Sequence, residues 1–166
     1  MPGDPGIPNR NTFIEPGFDG DRLLLTGAVL TRSAVPMVDV RLEFWQADTA
    51  GKYHMAENKL RGRQRTKPDG RFALETFVPG YTGKMRRINF IAEAAIPGRK
   101  QLLLLGAAIV LATEQELNTP VRDADRPYVK PNARIYRDDP AFLSLDKLPL
   151  INGSKQVTYD IVFDIE

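Results

Sequence analysis

The sequence predicts an all-β fold, an antiparallel β-sandwich. Three observations point there. Several segments of five to ten residues alternate apolar and polar side chains with period two. Thirteen glycines and thirteen prolines punctuate the chain, with turn signals every ten or so residues. No long segment sustains a 3.6-residue period, which argues against a long helical bundle. At 166 residues, 42% hydrophobic and 27% charged, the chain is an ordinary single-domain composition.

The elements follow in order. Residues 1–20 are rich in Pro, Gly and polar groups and read as an N-terminal arm, lying across the domain or a partner subunit. A single domain is expected over residues 21–166. Residues 23–30 turn apolar and read as the first strand, followed by a turn over 31–36. Residues 38–45 alternate most clearly: Val38, Val40, Leu42 and Phe44 point one way, Asp39, Arg41, Glu43 and Trp45 the other. Residues 48–59 are polar and read as loop. Lys67, Pro68, Asp69 and Gly70 make a turn in which Pro presets φ and Gly accepts a positive φ. Between residues 61–66 and 71–78 that turn predicts a hairpin.

Residues 87–94 alternate again, with Ile88, Phe90, Ala92 and Ala94 on one face and Arg87, Asn89, Ile91 and Glu93 on the other. Residues 101–112 are apolar on both faces, as for a strand covered on both sides. Residues 113–117 could add a helical turn. Residues 118–149 hold five prolines and many charges, and are expected as a long loop that wraps the sheet or covers a site. Residues 157–164 read as a last strand with Val157, Tyr159, Ile161 and Phe163 inward.

Composition also excludes whole classes of chemistry. Cysteine is absent, which removes disulfides, thiolate metal sites and Cys nucleophiles. One histidine, His54, removes His-pair metal sites. A net charge of +2 is too balanced for a dedicated nucleic-acid binder. The first ten residues lack the apolar core of a signal peptide, and the longest apolar stretch, 102–112, is too short to span a bilayer. No membrane partner and a cytoplasmic location are therefore expected.

An ordered series of phrases resembles the core domain of intradiol ring-cleavage dioxygenases, the protocatechuate and catechol dioxygenase kind. Leu24-Leu25-Thr26-Gly27-Ala28-Val29 looks like the family's opening strand. Residues 40–48, ending in Phe44-Trp45-Gln46-Ala47-Asp48, are similar to its Val-x-Ile-Trp-x-Ala-Asp strand, with a small slip before Trp. Gly51-Lys52-Tyr53 looks like its Gly-x-Tyr. Arg61-Gly62, then Thr66 with Asp69-Gly70-Arg71-Phe72, then Thr76 with Pro79-Gly80, resemble its Arg-Gly, Thr-Asp-x-Asp-Gly-x-Phe and Thr-x-x-Pro-Gly phrases. Pro97-Gly98-Arg99-Lys100 and Tyr159-Asp160-Ile161-Val162 add weaker support. The match covers about residues 12–112 and the last strand. It implies a transthyretin-like sandwich with a site at one sheet edge.

In active members of that family, two Tyr and two His hold a ferric ion, the His pair lying as His-x-His on one strand. Tyr53 matches the first tyrosine. The second is either Tyr81, with a one-residue deletion, or Thr82. Arg87-Ile88-Asn89 best matches the His-x-His strand, so both histidines are missing. Lys84 best matches an arginine placed before them, and the catalytic glutamine falls near Leu103 or Leu104. A guanidinium has no free lone pair and stays protonated, so Arg87 is no ligand, and Asn89 offers only a neutral amide. His54 rescues the site only if Tyr53 lies in a loop. The expected metal set is therefore empty, and the expected cofactor is none.

If the fold holds, Tyr53, Tyr81, Lys84, Arg87 and Asn89 come together, with Trp45 and Leu104 as walls. A phenol beside a cation has its ionised form favoured. Fixed cation, phenol and amide suit oxyanion stabilisation and proton transfer without a metal. The catalytic candidates are Tyr53, Tyr81 and Arg87, and the substrate-binding candidates Lys84, Asn89, Trp45 and Leu104.

Each has a plainer reading. Tyr53 and Tyr81 suit an amphipathic rim and a turn. Lys84 to Arg87 form a basic cluster of the solvated kind. Asn89 suits an outer face, His54 an exposed position, and Arg41 with Glu43 a surface charge pattern. Arg61, Arg63 and Arg65 share a face, a solvated edge first and an anion patch second.

Three functions stay open. One is a metal-free isomerase, cyclase or lyase acting on a small aromatic or polyketide-like molecule. Another is a non-catalytic small-molecule-binding or scaffold protein. The third is an iron-dependent Fe(III) intradiol dioxygenase with unusual ligands. The expected partner is a small phenolic or anionic molecule, and a homodimer is expected through residues 1–20 or 118–149.

Overall fold

A computed structural model of the chain describes residues 6–81, 85–113 and 142–166. Among the described residues, ten strands form two five-stranded sheets, packed face to face as a sandwich: β1 Arg22–Leu30, β2 Arg41–Gln46, β3 Arg61–Arg65, β4 Arg71–Phe77, β5 Arg86–Ala94, β6 Leu103–Ala112, β7 Phe142–Ser144, β8 Leu150–Ile151, β9 Ser154–Thr158 and β10 Ile161–Val162. One sheet runs β3-β2-β5-β6-β7. The other is centred on β1, with β4 on one edge and β9, β8 and β10 beyond the other. The expected all-β sandwich is what forms, but the sheets are mixed rather than purely antiparallel. β9 and β10 run parallel to β1, and β7 runs parallel to β6.

Period-two patterning explains the core. Ile88, Phe90, Ala92 and Ala94 are all buried, as their alternation on β5 requires, and face Leu42 and Phe44 of the neighbouring strand and Phe72 and Leu74 across the sandwich. Phe44 packs on Phe72 and Phe90 with ring centroids 5.6 and 6.2 Å away. Each such ring removed from water is worth about 2–3 kcal/mol.

Four local expectations need correction. The turn at 67–70 forms, with Gly70 at φ 77° and its N–H on the Lys67 carbonyl, but it makes an arch rather than a hairpin. β3 pairs with β2 in one sheet, and β4 pairs with β1 in the other. A side-chain amide substitutes for the missing ladder: Gln64 donates to the Ala73 carbonyl at 2.8 Å and accepts from its N–H. Val38 does not join the inner row of β2. Asp39 takes φ 60°, which breaks the alternation, and Val38 is exposed.

The apolar run ending at Ala112 is not covered on both faces, since Leu104 is 63% exposed and burial is confined to 109–111. The closing strand is split at Tyr159 and Asp160. There the Asp160 carboxylate accepts the Ala28 N–H that a continuous ladder would have used, and the backbone bulges against Gly27, where a Cβ would collide with the Tyr159 carbonyl.

The arm lies on its own domain. Arg63 N–H donates to the Pro8 carbonyl, Arg10 N–H to Arg63, Phe13 N–H to Glu75 and Glu75 N–H to Asn11. It thus bridges edge strand β3 of one sheet and β4 of the other, and drives the fully buried Phe13 into the seam. The stretch expected as loop over 118–149 lies mostly outside the described residues; from Phe142 it carries β7 and a 3-10 turn at Leu145–Lys147. The helical turn expected at 113–117 also lies outside them, apart from Thr113. Among the described residues no helix is long and apolar enough to cross a membrane.

Candidate functional site

The register places the site on the outer face of the sheet built around β2 and β5. Trp45 of β2 lies opposite Arg61 of β3 and Asn89 of β5. Partners in an antiparallel register project to the same side, so these three side chains form one outward row. Arg87 is two residues along β5, hence on the same face, opposite Val110 of β6. Its Nε is buried and has no hydrogen-bond partner among the described residues.

β2 hands over to the loop that supplies Tyr53. Gln46, fully buried, fixes the exit: its amide donates to the Phe77 carbonyl at 3.0 Å and accepts from the Thr76 hydroxyl at 2.6 Å, tying one sheet to the other. Asp48 then organises the loop. One carboxylate oxygen accepts the N–H groups of Ala50 and Lys52, both at 2.9 Å, and the other lies 2.7 Å from His54 Nε2. Its own carbonyl accepts from Gly51 and Gly80. Burial taken alone would raise the Asp48 carboxyl, but the His54 hydrogen bond, the two backbone N–H groups and the charge of His54 together hold it below its ordinary value of 3.8.

Tyr53, half-buried, closes the arrangement. Its hydroxyl oxygen accepts a hydrogen bond from Asn89 Nδ2 at 3.1 Å, and the same amide reaches the Trp45 carbonyl at 3.4 Å. Tyr53, Asn89 and Trp45 are therefore brought together, with Arg87 beside them.

The other sequence candidates are placed differently. Tyr81 is 42% exposed, and the Arg86 guanidinium lies 4.3 Å from its ring centroid; Arg86 alternates on β5 with Arg87 and Asn89. The Tyr81 backbone packs against Gly51, where a Cβ would collide with its carbonyl, so the two tyrosine loops touch although the rings are held separately. Leu104 pairs with Glu93, four residues beyond Asn89 on β5 and so about 13 Å along the strand. It does not reach Tyr53. Lys84 lies outside the described residues, as does Thr82.

His54 is a correction. It is not exposed: its side chain is 19% accessible, engaged by Asp48 and packed edge-on against Phe18 at 5.0 Å between centroids. The Asp48–His54 pair is the feature that sequence reasoning missed. Its signal was present, because an Asp followed by Thr49, Ala50 and Gly51 favours a turn closed by the Asp side chain. Tyr53 does lie in a loop, yet the imidazole beside it is tied to that carboxylate.

The residues at this site do not fit the ferric ion that the fold family implies. Asn89 turns its N–H toward the Tyr53 oxygen, and the neighbouring position on the face is a guanidinium, which donates protons and no lone pair. A cation fixed beside a trivalent cation is also repulsive.

A family profile described as Dioxygenase matches residues 10–96, just over half of the chain. The dioxygenase domain of a dioxygenase–carbohydrate-binding fusion protein from Streptomyces sp. SirexAA-E superposes with a TM-score of 0.71 at 30% identity, covering 100% of this chain and 96% of that one. The 3-chlorocatechol 1,2-dioxygenase of Rhodococcus opacus 1CP shares the fold at 24% identity and a TM-score of 0.68, covering 98% of this chain and 68% of that one. A Rickettsia conorii protein named as a dioxygenase is 40% identical over 48 residues, 29% of this chain and only 23% of that relative's length. With the two-sheet sandwich, the matched segment and the ordered strand and turn phrases in agreement, the chain belongs to the intradiol ring-cleavage dioxygenase family.

Proposed function

We propose that the chain is a metal-free enzyme on the intradiol dioxygenase scaffold, acting on a small aromatic or polyketide-like molecule by isomerase, cyclase or lyase chemistry. The observation that carries this reading is the Asn89–Tyr53 hydrogen bond with the buried Arg87 Nε on the same strand face. Asn89 fills one acceptor position of the Tyr53 oxygen, so the hydroxyl proton is left to point at a ligand. Tyr53 gives that proton to a substrate oxygen or carbon, and after deprotonation takes one back from another atom, so the proton count closes over a turnover. Arg87 stabilises the enolate, phenolate or carboxylate that develops, a role in which a fixed guanidinium needs no reorganisation. Trp45 offers an aromatic wall. Tyr81 belongs to the rim in this reading. The dimer expected from the arm belongs to the same proposal, and a monomer mass in solution would remove it.

A panel of phenolic compounds tests it, with binding and turnover measured separately alongside elemental analysis. Arg87→Met should weaken binding at least tenfold, while Tyr53→Phe should abolish turnover and change binding only a few-fold. Stoichiometric iron with oxygen uptake on a catechol would overturn the proposal in favour of a dioxygenase with unusual ligands. A second reading, binding without chemistry, is favoured by the separation of the two phenols: Tyr81 is stacked on Arg86 and leaves Tyr53 as a single acid–base group. Tight binding with no turnover of any compound bound would select it.

A further inference from the structure

Farther along the same outer face, the strands carry a second concentration of charge that the proposed chemistry does not use. Asn9, Arg41, Arg63, Gln64 and Arg65 line a cleft of about 390 Å³. Arg41 of β2 and Arg65 of β3 stand directly opposite one another in the register, and Arg63 follows on the same face, opposite Glu43. Like charges directly opposed on a sheet are destabilising unless something between them is negative.

Each of the three arginines has a carboxylate neighbour, and one of these carboxylates is shared. Glu93 takes Arg41 at 3.0 Å, and Asp39 takes Arg65 at 3.4 Å with both side chains largely in solvent. Glu43 divides itself between Arg61 at 2.7 Å and Arg63 at 3.6 Å. None of the described residues lining the cleft is acidic. The arm closes one side, because Asn9 is held against β3 by the hydrogen bonds that flank it, Arg63 N–H to the Pro8 carbonyl and Arg10 N–H to the Arg63 carbonyl.

We propose that this cleft binds a compact organic anion through at least two oxyanion groups, carboxylate or phosphate. Guanidiniums present paired N–H groups in a planar fork that matches both. The volume lies within the range of small-molecule sites and is larger than a bare inorganic ion fills. The apolar stems of the three arginines supply the walls for the ligand's carbon skeleton. The cleft is separate from the Tyr53–Asn89 pair: Arg41 is four residues from Trp45 on β2, about 13 Å along the strand.

Calorimetric titration of the full chain with citrate and with inorganic phosphate at low ionic strength tests the site. Saturable binding at one site per chain is expected, weakening as salt rises. Arg65→Gln, at an exposed position, and Arg41→Gln should each weaken it at least tenfold with a normal melting profile, while Lys155→Gln, on β9 of the other sheet, should leave it unchanged. Tighter citrate than phosphate assigns a carboxylate ligand, and the reverse a phosphorylated one. Failure of both probes to bind, or equal binding by wild type and the Arg65→Gln variant, overturns the proposal.

Discussion

Tyr53 and Tyr81 sit on loops whose backbones touch, yet they are held by different physics. Tyr53 is half-buried, with its hydroxyl on Asn89 and its loop built around one carboxylate that gathers two backbone N–H groups and an imidazole. Tyr81 follows β4 through Pro79 and Gly80, is 42% exposed, and has its ring under the Arg86 guanidinium. One phenol is oriented by a directional hydrogen bond, and the other carries a cation over its ring. A group that must hand a proton to a fixed atom needs the first kind of support, and a rim that must admit a ligand needs the second. That is why Tyr53 carries the acid–base role in the proposed chemistry.

The largest effect is expected where the two loops meet. Gly51 has φ 86°, and a Cβ there would strike the Tyr81 carbonyl. Gly51→Ala therefore adds left-handed strain to a backbone collision and should cost about 3 kcal/mol, a fall in Tm of roughly 6–12 °C. Thermal melts followed by tyrosine fluorescence would report it. A melt within 2 °C of wild type would mean that the loops are not coupled at this contact.

Asp48→Asn separates the imidazole from the backbone. The amide oxygen of Asn still accepts the Ala50 and Lys52 N–H groups, but the charge-assisted contact with His54 becomes at most a neutral one, so a cost of about 1–2 kcal/mol is expected near neutral pH. The sign with pH follows from the Asp48 shift. Its folded-state value lies below 3.8, so its contribution is fully present above the unfolded value and is lost as pH falls through the folded one. The stability gap between wild type and Asp48→Asn should accordingly shrink below about pH 4. A gap that persists unchanged at pH 2.5 would show that Asp48 does not stabilise the loop through its charge.

The difference between the loops also marks where sequence reading succeeds. Burial along β5 was legible because alternation is a property of one strand, and Ile88, Phe90, Ala92 and Ala94 obey it. Tyr53 and Asn89 were legible only through family spacing, since nothing local joins residues 36 apart. Strand pairing was not legible at 67–70. A Pro-Asp-Gly turn is the same turn whether the chain returns to its own sheet or crosses to the other, and the choice is made by Gln64 and by the partners of β2. The split at Tyr159 and Asp160 was hidden for a related reason: the residue that demands it, Gly27, lies on β1. His54 was misread because its burial comes from Phe18 of the arm and from Asp48, neither of which a strand pattern can place beside it.

The smallest effects discriminate most finely between the two phenols. A double-mutant cycle with Tyr53→Phe and Asn89→Ala removes a half-buried hydrogen bond and should show a coupling of about 1 kcal/mol in urea denaturation. The matching cycle with Tyr81→Leu and Arg86→Met removes a cation held over an exposed ring, for which about 0.5 kcal/mol is expected. Salt separates them further. The second coupling should fall in concentrated sodium chloride because one of its partners is a cation over an exposed ring, and the first should hold because both its groups are neutral. Equal couplings with equal salt dependence would mean that the rings are supported alike, and the case for assigning proton transfer to Tyr53 rather than Tyr81 would fail.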